Sequence, residues 1–248
     1  ASPAVIDSDG NGKADTAYAG DLEGNMWKFD LTARTVESTP LYEAGDKQPI
    51  TTQPEIGAHP EGGFMVYFGT GSLLSEEDAV NTDGQSIYGI HDYPGRQRTI
   101  IETDLLSSAV YTGLEEVTAH GKRLRIGGSH TRVNPGKGWK VDLPEPGELV
   151  LKAPQLRGGR LQFISTYAET VDAIRVPASW YMELDWLSGG SANRAISDFN
   201  ADGKLDDAID LYQQCLQQSD EDNYAVRSAL MSAYVKAGRW EEAYRDSD

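Results

Sequence analysis

The chain has 248 residues with 39 acidic and 22 basic side chains, giving a formal net charge of −17 and a pI near 4.6. That length holds one large β domain or two smaller ones with a real core, while the charge argues against nucleic acid and anionic membrane surfaces, both of which call for basic patches. Cys215 stands alone and can form no internal disulfide, so cysteine usage leaves the compartment open, and no apolar run approaches the length of a membrane span.

The chain opens on Asp7-Ser8-Asp9-Gly10-Asn11-Gly12-Lys13-Ala14-Asp15, which puts side-chain oxygens at loop positions 1, 3, 5 and 9 and glycine at 6. Alternate residues can turn their oxygens inward there, the glycine permits the sharp bend, and position 7 needs only its carbonyl. Asp7, Asp9, Asn11 and Asp15 are therefore candidate calcium ligands, joined by the Lys13 backbone carbonyl. Three carboxylates held this close call for a neutralising partner. Tyr18 stands where a full helix–loop–helix site has its bidentate Glu, so the loop is shortened and is expected to run into a strand. A metal-free turn favours the same residue types.

From about residue 14 to 190, short strands alternate with Gly, Asp and Pro, a pattern of sandwiches, barrels and propellers. One hairpin pattern recurs. Thr16–Asp30, a strand, a turn and a second strand, is its first copy, Met65–Gly71 with Ser86–Asp92 its second, and Gly159–Ile164 with Trp180–Asp185 its third. Blades of about 40–45 residues would make this roughly four blades of a β-propeller. The wheel reads as incomplete, with no strand ahead of the acidic loop. Between the second and third copies, Lys122–Ile126 and Gly138–Leu143 are expected to supply another blade, with turns at Pro144, Pro146 and Pro154.

The character then changes, and the expected division is a β segment over 1–196 and a helical one over 197–248. Residues 205–246 lack proline and are rich in helix formers. Gly203-Lys204-Leu205-Asp206-Asp207-Ala208-Ile209 aligns with Gly238-Arg239-Trp240-Glu241-Glu242-Ala243-Tyr244, at an offset close to the repeat length of about 34 residues in tetratricopeptide proteins. The tail thus resembles a tetratricopeptide helical hairpin, and one such repeat needs neighbours to bury its face. At its entrance Asp198, Asn200, Asp202, the Lys204 carbonyl and Asp206 repeat the calcium-loop spacing. The same acidic residues would also suit the first turn of a helix.

Several strings in fixed order resemble the PilC/PilY family of type IV pilus tip-associated proteins. They are the acidic loop running into Tyr18-Ala19-Gly20-Asp21 and Trp27-Lys28-Phe29-Asp30-Leu31, then His59-Pro60-Glu61-Gly62-Gly63 before Val66-Tyr67-Phe68-Gly69-Thr70-Gly71. Arg157-Gly158-Gly159-Arg160 and Trp180-Tyr181-Met182-Glu183-Leu184-Asp185 continue it. The resemblance implies a C-terminal β-propeller exported to the cell envelope or surface, supporting pilus biogenesis and adhesion. It implies minor pilins and a host surface as partners, and a calcium loop at Asp7, Asp9, Asn11, Lys13 and Asp15 that regulates pilus extension against retraction. The helical tail departs from the family pattern. An exported form would be a mature piece or a fragment of something longer, since no signal segment opens the chain.

An enzyme is disfavoured. The propeller pattern is also similar to quinoprotein dehydrogenases, but the adjacent cysteine pair is missing. His59, His91, His120 and His130 are scattered and flanked by turn residues, without the paired spacing of zinc ligands. Trp27, Trp180, Tyr18 and Tyr67 read as packing between blades before they read as a recognition surface. An extracellular interaction module that binds partners through the helical tail is the alternative reading.

Overall fold

A computed structural model of the chain describes residues 1–36, 39–96, 98–105, 115–119, 122–126, 137–171 and 174–190. The chain divides into two compact units, Ala1–Val110 with Arg132–Gly189, and Tyr111–Thr131 with Gly190–Asp248. Among the described residues, the first unit holds three antiparallel sheets. In the second, Glu115–Ala119 (β9) and Lys122–Ile126 (β10) pair as a hairpin. The expected helices of the tail lie outside the described residues.

The first sheet contains β1 (Ala4–Ile6), β2 (Thr16–Gly20), β3 (Asn25–Asp30), β4 (Thr35–Val36) and β5 (Tyr42–Glu43), with β4 and β5 both on β3. The β2–β3 turn is tied by Asp21. Its carboxylate accepts the backbone N–H groups of Glu23 and Asn25, the Asn25 amide and the Trp27 indole N–H. One expectation fails at the start. A strand does precede the acidic loop, because Ala4 pairs with Tyr18 and Ile6 with Thr16. Three residues are too few to display a period, and only the partner strand reveals them.

The second sheet runs β6 (Glu55–Ala58), β7 (Phe64–Gly69), β8 (Ser86–Asp92), β11 (Gly138–Asp142) as an up-and-down meander. All seven residues of β8 are buried, as are the last five of β7, and β8 buries Ser86, His91 and Asp92 along with its apolar residues. Here the separate blade expected from residues 122–143 is corrected. Residues 138–142 form the outer strand of this sheet, Gly138 opposite Ile90 and Asp142 opposite Ser86, whereas 122–126 pairs with 115–119. The reason is side-chain fit. Trp139 is fully buried, and its indole occupies the space beside Gly89, where a Cβ would lie 2.4 Å from the ring.

The third sheet contains β12 (Gln155–Arg157), β13 (Arg160–Val171) and β14 (Ile174–Asp185). Gly158 and Gly159 join the first two strands as a two-residue turn with both φ positive, 57° and 77°, the conformation of a type I′ hairpin. All three hairpins of the sequence repeat are present, with Gly20 opposite Met26, Phe64 opposite Asp92 and Phe163 opposite Met182.

The leading strand of the middle sheet, β6, lies against the leading strands β1 and β12 of the other two. Sheets meeting at their first strands have the radial order of propeller blades. Three such sheets are described, and they do not close into a ring. Between the first two sits the main core, where Tyr18, Met26, Tyr42 and Ile50 pack on Val66, Phe68, Tyr88 and Ile90. Tyr42 and Tyr88 rings lie 5.0 Å apart and Phe68 stacks on Tyr88 at 5.2 Å. Tyr18, Tyr67 and Trp180 are buried, whereas Trp27 is half-buried with its indole N–H on Asp21.

Candidate metal centre

The connection between β1 and β2 is the acidic loop. Its base continues the strand ladder, with Asp15 N–H donating to the Ile6 carbonyl at 3.0 Å and Ser8 N–H reaching the Asp15 carboxylate at 3.1 Å. Inside the loop the backbone coils round Asp7. One carboxylate oxygen accepts Gly10 N–H at 2.8 Å and Asn11 N–H at 3.1 Å, and the other accepts Gly12 N–H at 2.6 Å. Gly10 and Gly12 have φ of 75° and 86°, which lets successive amides point inward. Asn11 donates its side-chain amide to Asp9 and accepts Lys13 N–H.

This folding brings the three expected carboxylates together. An oxygen from each of Asp7, Asp9 and Asp15 lies within 4.8 Å of the others, with Asp7 and Asp9 exposed and Asp15 half-buried. Two oxygens on a calcium ion, each about 2.3–2.6 Å from it, are at most about 5 Å apart, so the cluster has the right size. An all-oxygen donor set also suits a hard cation. The Gly12 amide, more than the other backbone donors, holds the Asp7 carboxyl below the ordinary carboxylate range, and the Ser8 side chain does so for Asp15. Both stay ionised at neutral pH. The local charge that remains is what a divalent cation would neutralise. The second acidic loop, Asp198, Asn200, Asp202, Lys204 and Asp206, lies outside the described residues, as do His120, His130 and Cys215.

Two groupings escaped the sequence reading. His59 and His91 are not scattered: their rings stack at 3.7 Å between centroids. The β7–β8 register sets Met65 opposite His91 and the 59–63 turn closes beside it. Buried Asp92 accepts Tyr18 Oη–H at 2.7 Å and ion-pairs with Lys28 at 2.7 Å and Arg96 at 3.3 Å. The His pair forms where the β6–β7 turn folds back beside β8, and packing of the first sheet on the second brings Tyr18 and Lys28 to Asp92.

Residues 1–46 and 37–104 match the PilY1 beta-propeller domain. Residues 1–104 thus belong to the PilY1 β-propeller family. Two type IV pilus biogenesis factor PilY1 homologues of Xylella fastidiosa are 32% and 30% identical to the chain, over 76% and 79% of its length. The PilY1 of Pseudomonas aeruginosa is 28% identical over 84% of it. The chain spans only 14%, 16% and 22% of those three relatives. Residues 199–245 separately match a tetratricopeptide repeat, the likeness seen in the tail. No solved structure matches the chain. Among the described residues, no helix is long and apolar enough to cross a membrane.

Proposed function

We propose that this chain is a non-enzymatic, calcium-binding propeller segment of a type IV pilus biogenesis and adhesion protein, working at the cell envelope or surface with pilus components such as minor pilins. The observation that supports it most is the convergence of Asp7, Asp9 and Asp15 in one loop of a PilY1-family propeller. Asn11 and the Lys13 carbonyl complete the proposed ligand set. With calcium bound, the loop is pinned at the head of β2. Without it, repulsion among three carboxylates works against the backbone bonds that close the loop, and the surface offered to pilus components changes. The calcium state would thereby bias pilus extension against retraction.

Two measurements test this. Calorimetric titration of the full chain with calcium should show binding that Asp7→Ala/Asp15→Ala abolishes. Cells carrying Asp9→Ala or Asp15→Ala should then differ from wild type in pilus number or retraction. Wild-type piliation and retraction in cells whose variant has lost calcium would sink the regulatory role, and absence of calcium binding in wild type would sink the metal site. The tetratricopeptide match favours a second reading, in which residues 199–245 bind a protein partner. Pull-down with the tail deleted separates the two, because only the second reading loses its partner.

A further inference from the structure

Asn11 is the only asparagine of the chain that is followed by glycine, and both residues are exposed. The side-chain carbonyl of an asparagine is open to attack by the backbone nitrogen of the next residue, and glycine carries no Cβ to obstruct the approach. The space round Gly12 is open too, since a Cβ there would meet nothing within 4 Å. We propose that Asn11 is a site of spontaneous deamidation, restrained in the closed loop by Asp7 and Asp9.

The reaction needs only water. The Gly12 nitrogen gives its proton to solvent and bonds to Asn11 Cγ, the Cγ–Nδ2 bond breaks, and the side-chain nitrogen takes up a proton and leaves as ammonia. Water then opens the cyclic imide. Cleavage between the Gly12 nitrogen and Cγ leaves Asp, whereas cleavage between that nitrogen and the backbone carbonyl carbon leaves isoaspartate, with one extra carbon in the main chain. The closed loop holds each reacting group. Gly12 N–H donates to Asp7 Oδ2 at 2.6 Å, so its nitrogen must give up a charge-assisted bond before it can attack. Once deprotonated it would also face an anion, which disfavours that form. The departing nitrogen, Asn11 Nδ2, donates to Asp9 Oδ2 at 2.8 Å, and Asn11 Oδ1 accepts the Lys13 N–H at 2.9 Å, so the amide is fixed from both ends. Opening of the loop releases all three bonds. Both products alter the proposed ligand set: Asp adds a fourth carboxylate, and isoaspartate lengthens the chain between loop positions 5 and 7. That consequence rests on the calcium reading; the reaction does not.

The full chain is incubated with EGTA in mildly alkaline buffer, folded and in urea. Tryptic peptides are then weighed by mass spectrometry, with isoaspartate separated from Asp by chromatography and the zero-time digest subtracted. The peptide Ala1–Lys13 contains no second asparagine, so its conversion reports Asn11 alone. The unfolded chain should convert fastest, and the folded wild type measurably but more slowly. Asp7→Ala removes the acceptor of the Gly12 N–H and should speed conversion of the folded chain about tenfold. That factor equals about 1.4 kcal/mol of barrier, near the low end for a hydrogen bond to a charged group. Amide resonances of Ala4 and Tyr18 show whether the β1–β2 pair survives the substitution. Where it does not, Asp9→Ala, which releases the departing amide, takes its place and should also speed the reaction. Conversion of folded wild type as fast as in urea, no conversion at Asn11 in the folded chain, or an unchanged rate in a variant with its strand pair intact would each overturn the proposal. No cation is present throughout, so failure here leaves the calcium site standing, and a loop that binds no calcium leaves the deamidation standing.

Discussion

The ring of His59 lies over that of His91, with 3.7 Å between the ring centroids. Burial, and next the neighbouring His91, push the His59 pKa below that of a free imidazole, while the Glu61 carboxylate opposes them. Its Nδ1 accepts the Glu61 N–H at 3.1 Å, so a proton arriving there breaks the bond that shapes the 59–63 turn. On the other side His91 Nε2 lies 2.8 Å from the Gly62 carbonyl, and Tyr93 meets the His91 ring edge-on with the Lys137 ammonium over its own ring. Below the ordinary imidazole value, about 6.5, the unfolded chain takes up the proton that folded His59 resists. Stability therefore falls as pH drops from about 6.5 towards the lowered folded value, and the contribution vanishes above 6.5. Urea midpoints measured from about pH 5 to 7.5 should show this slope in wild type and a flatter one in His59→Gln. Equal slopes would mean the stack does not govern this window. Asp7 and Asp15 act elsewhere on the scale: with folded pKa values below the ordinary 3.8, their contribution is present above that value and is lost as pH falls through the lower ones.

At the level of strands, what the sequence displays depends on how each strand is buried. Hairpins with long partners, β2–β3, β7–β8 and β13–β14, carry enough apolar residues to be read as strands, while their registers come from the structure. The acidic loop was equally legible, because its geometry is encoded within nine consecutive residues. By contrast β1 is set by its partner, and the membership of β11 is set by Trp139 and Gly89, which are far apart in the chain. The His59–His91 stack and the Lys28–Asp92–Arg96 cluster were illegible for the same reason: each depends on contacts across strands or sheets. The Trp139–Gly89 fit predicts a definite cost. Adding a methyl at Gly89 places it 2.4 Å from the indole, so Gly89→Ala should destabilise by about 1–3 kcal/mol, the range for overpacking a filled core. Chemical unfolding measures it. The paired change Gly89→Ala/Trp139→Leu should recover part of the loss if crowding is the cause, and should be worse than either single change if it is not.

For the whole molecule, the −17 charge and the acidic loop make opposite demands on any account of stabilisation by calcium. A chain this acidic repels itself, and any added salt relieves part of that by screening. A calcium-dependent rise in stability alone would therefore not identify a site. A bound ion differs in two respects. It acts through mass action, adding about 2.7 kcal/mol at 100 times its dissociation constant for one site that exists only in the folded state. It also depends on particular carboxylates. Unfolding should be followed in calcium chloride and in sodium chloride of matched ionic strength. Wild type should be more stable in calcium, by an amount that rises with the logarithm of its concentration beyond the dissociation constant. Asp7→Ala/Asp15→Ala removes two of the three clustered charges, so it should lose that excess while keeping the common response to ionic strength. It should also be less destabilised than wild type by calcium removal, since less repulsion remains in its loop. If the calcium excess survives in that variant, the ion acts at another place in the chain, and the Asp198 to Asp206 loop becomes the next position to substitute.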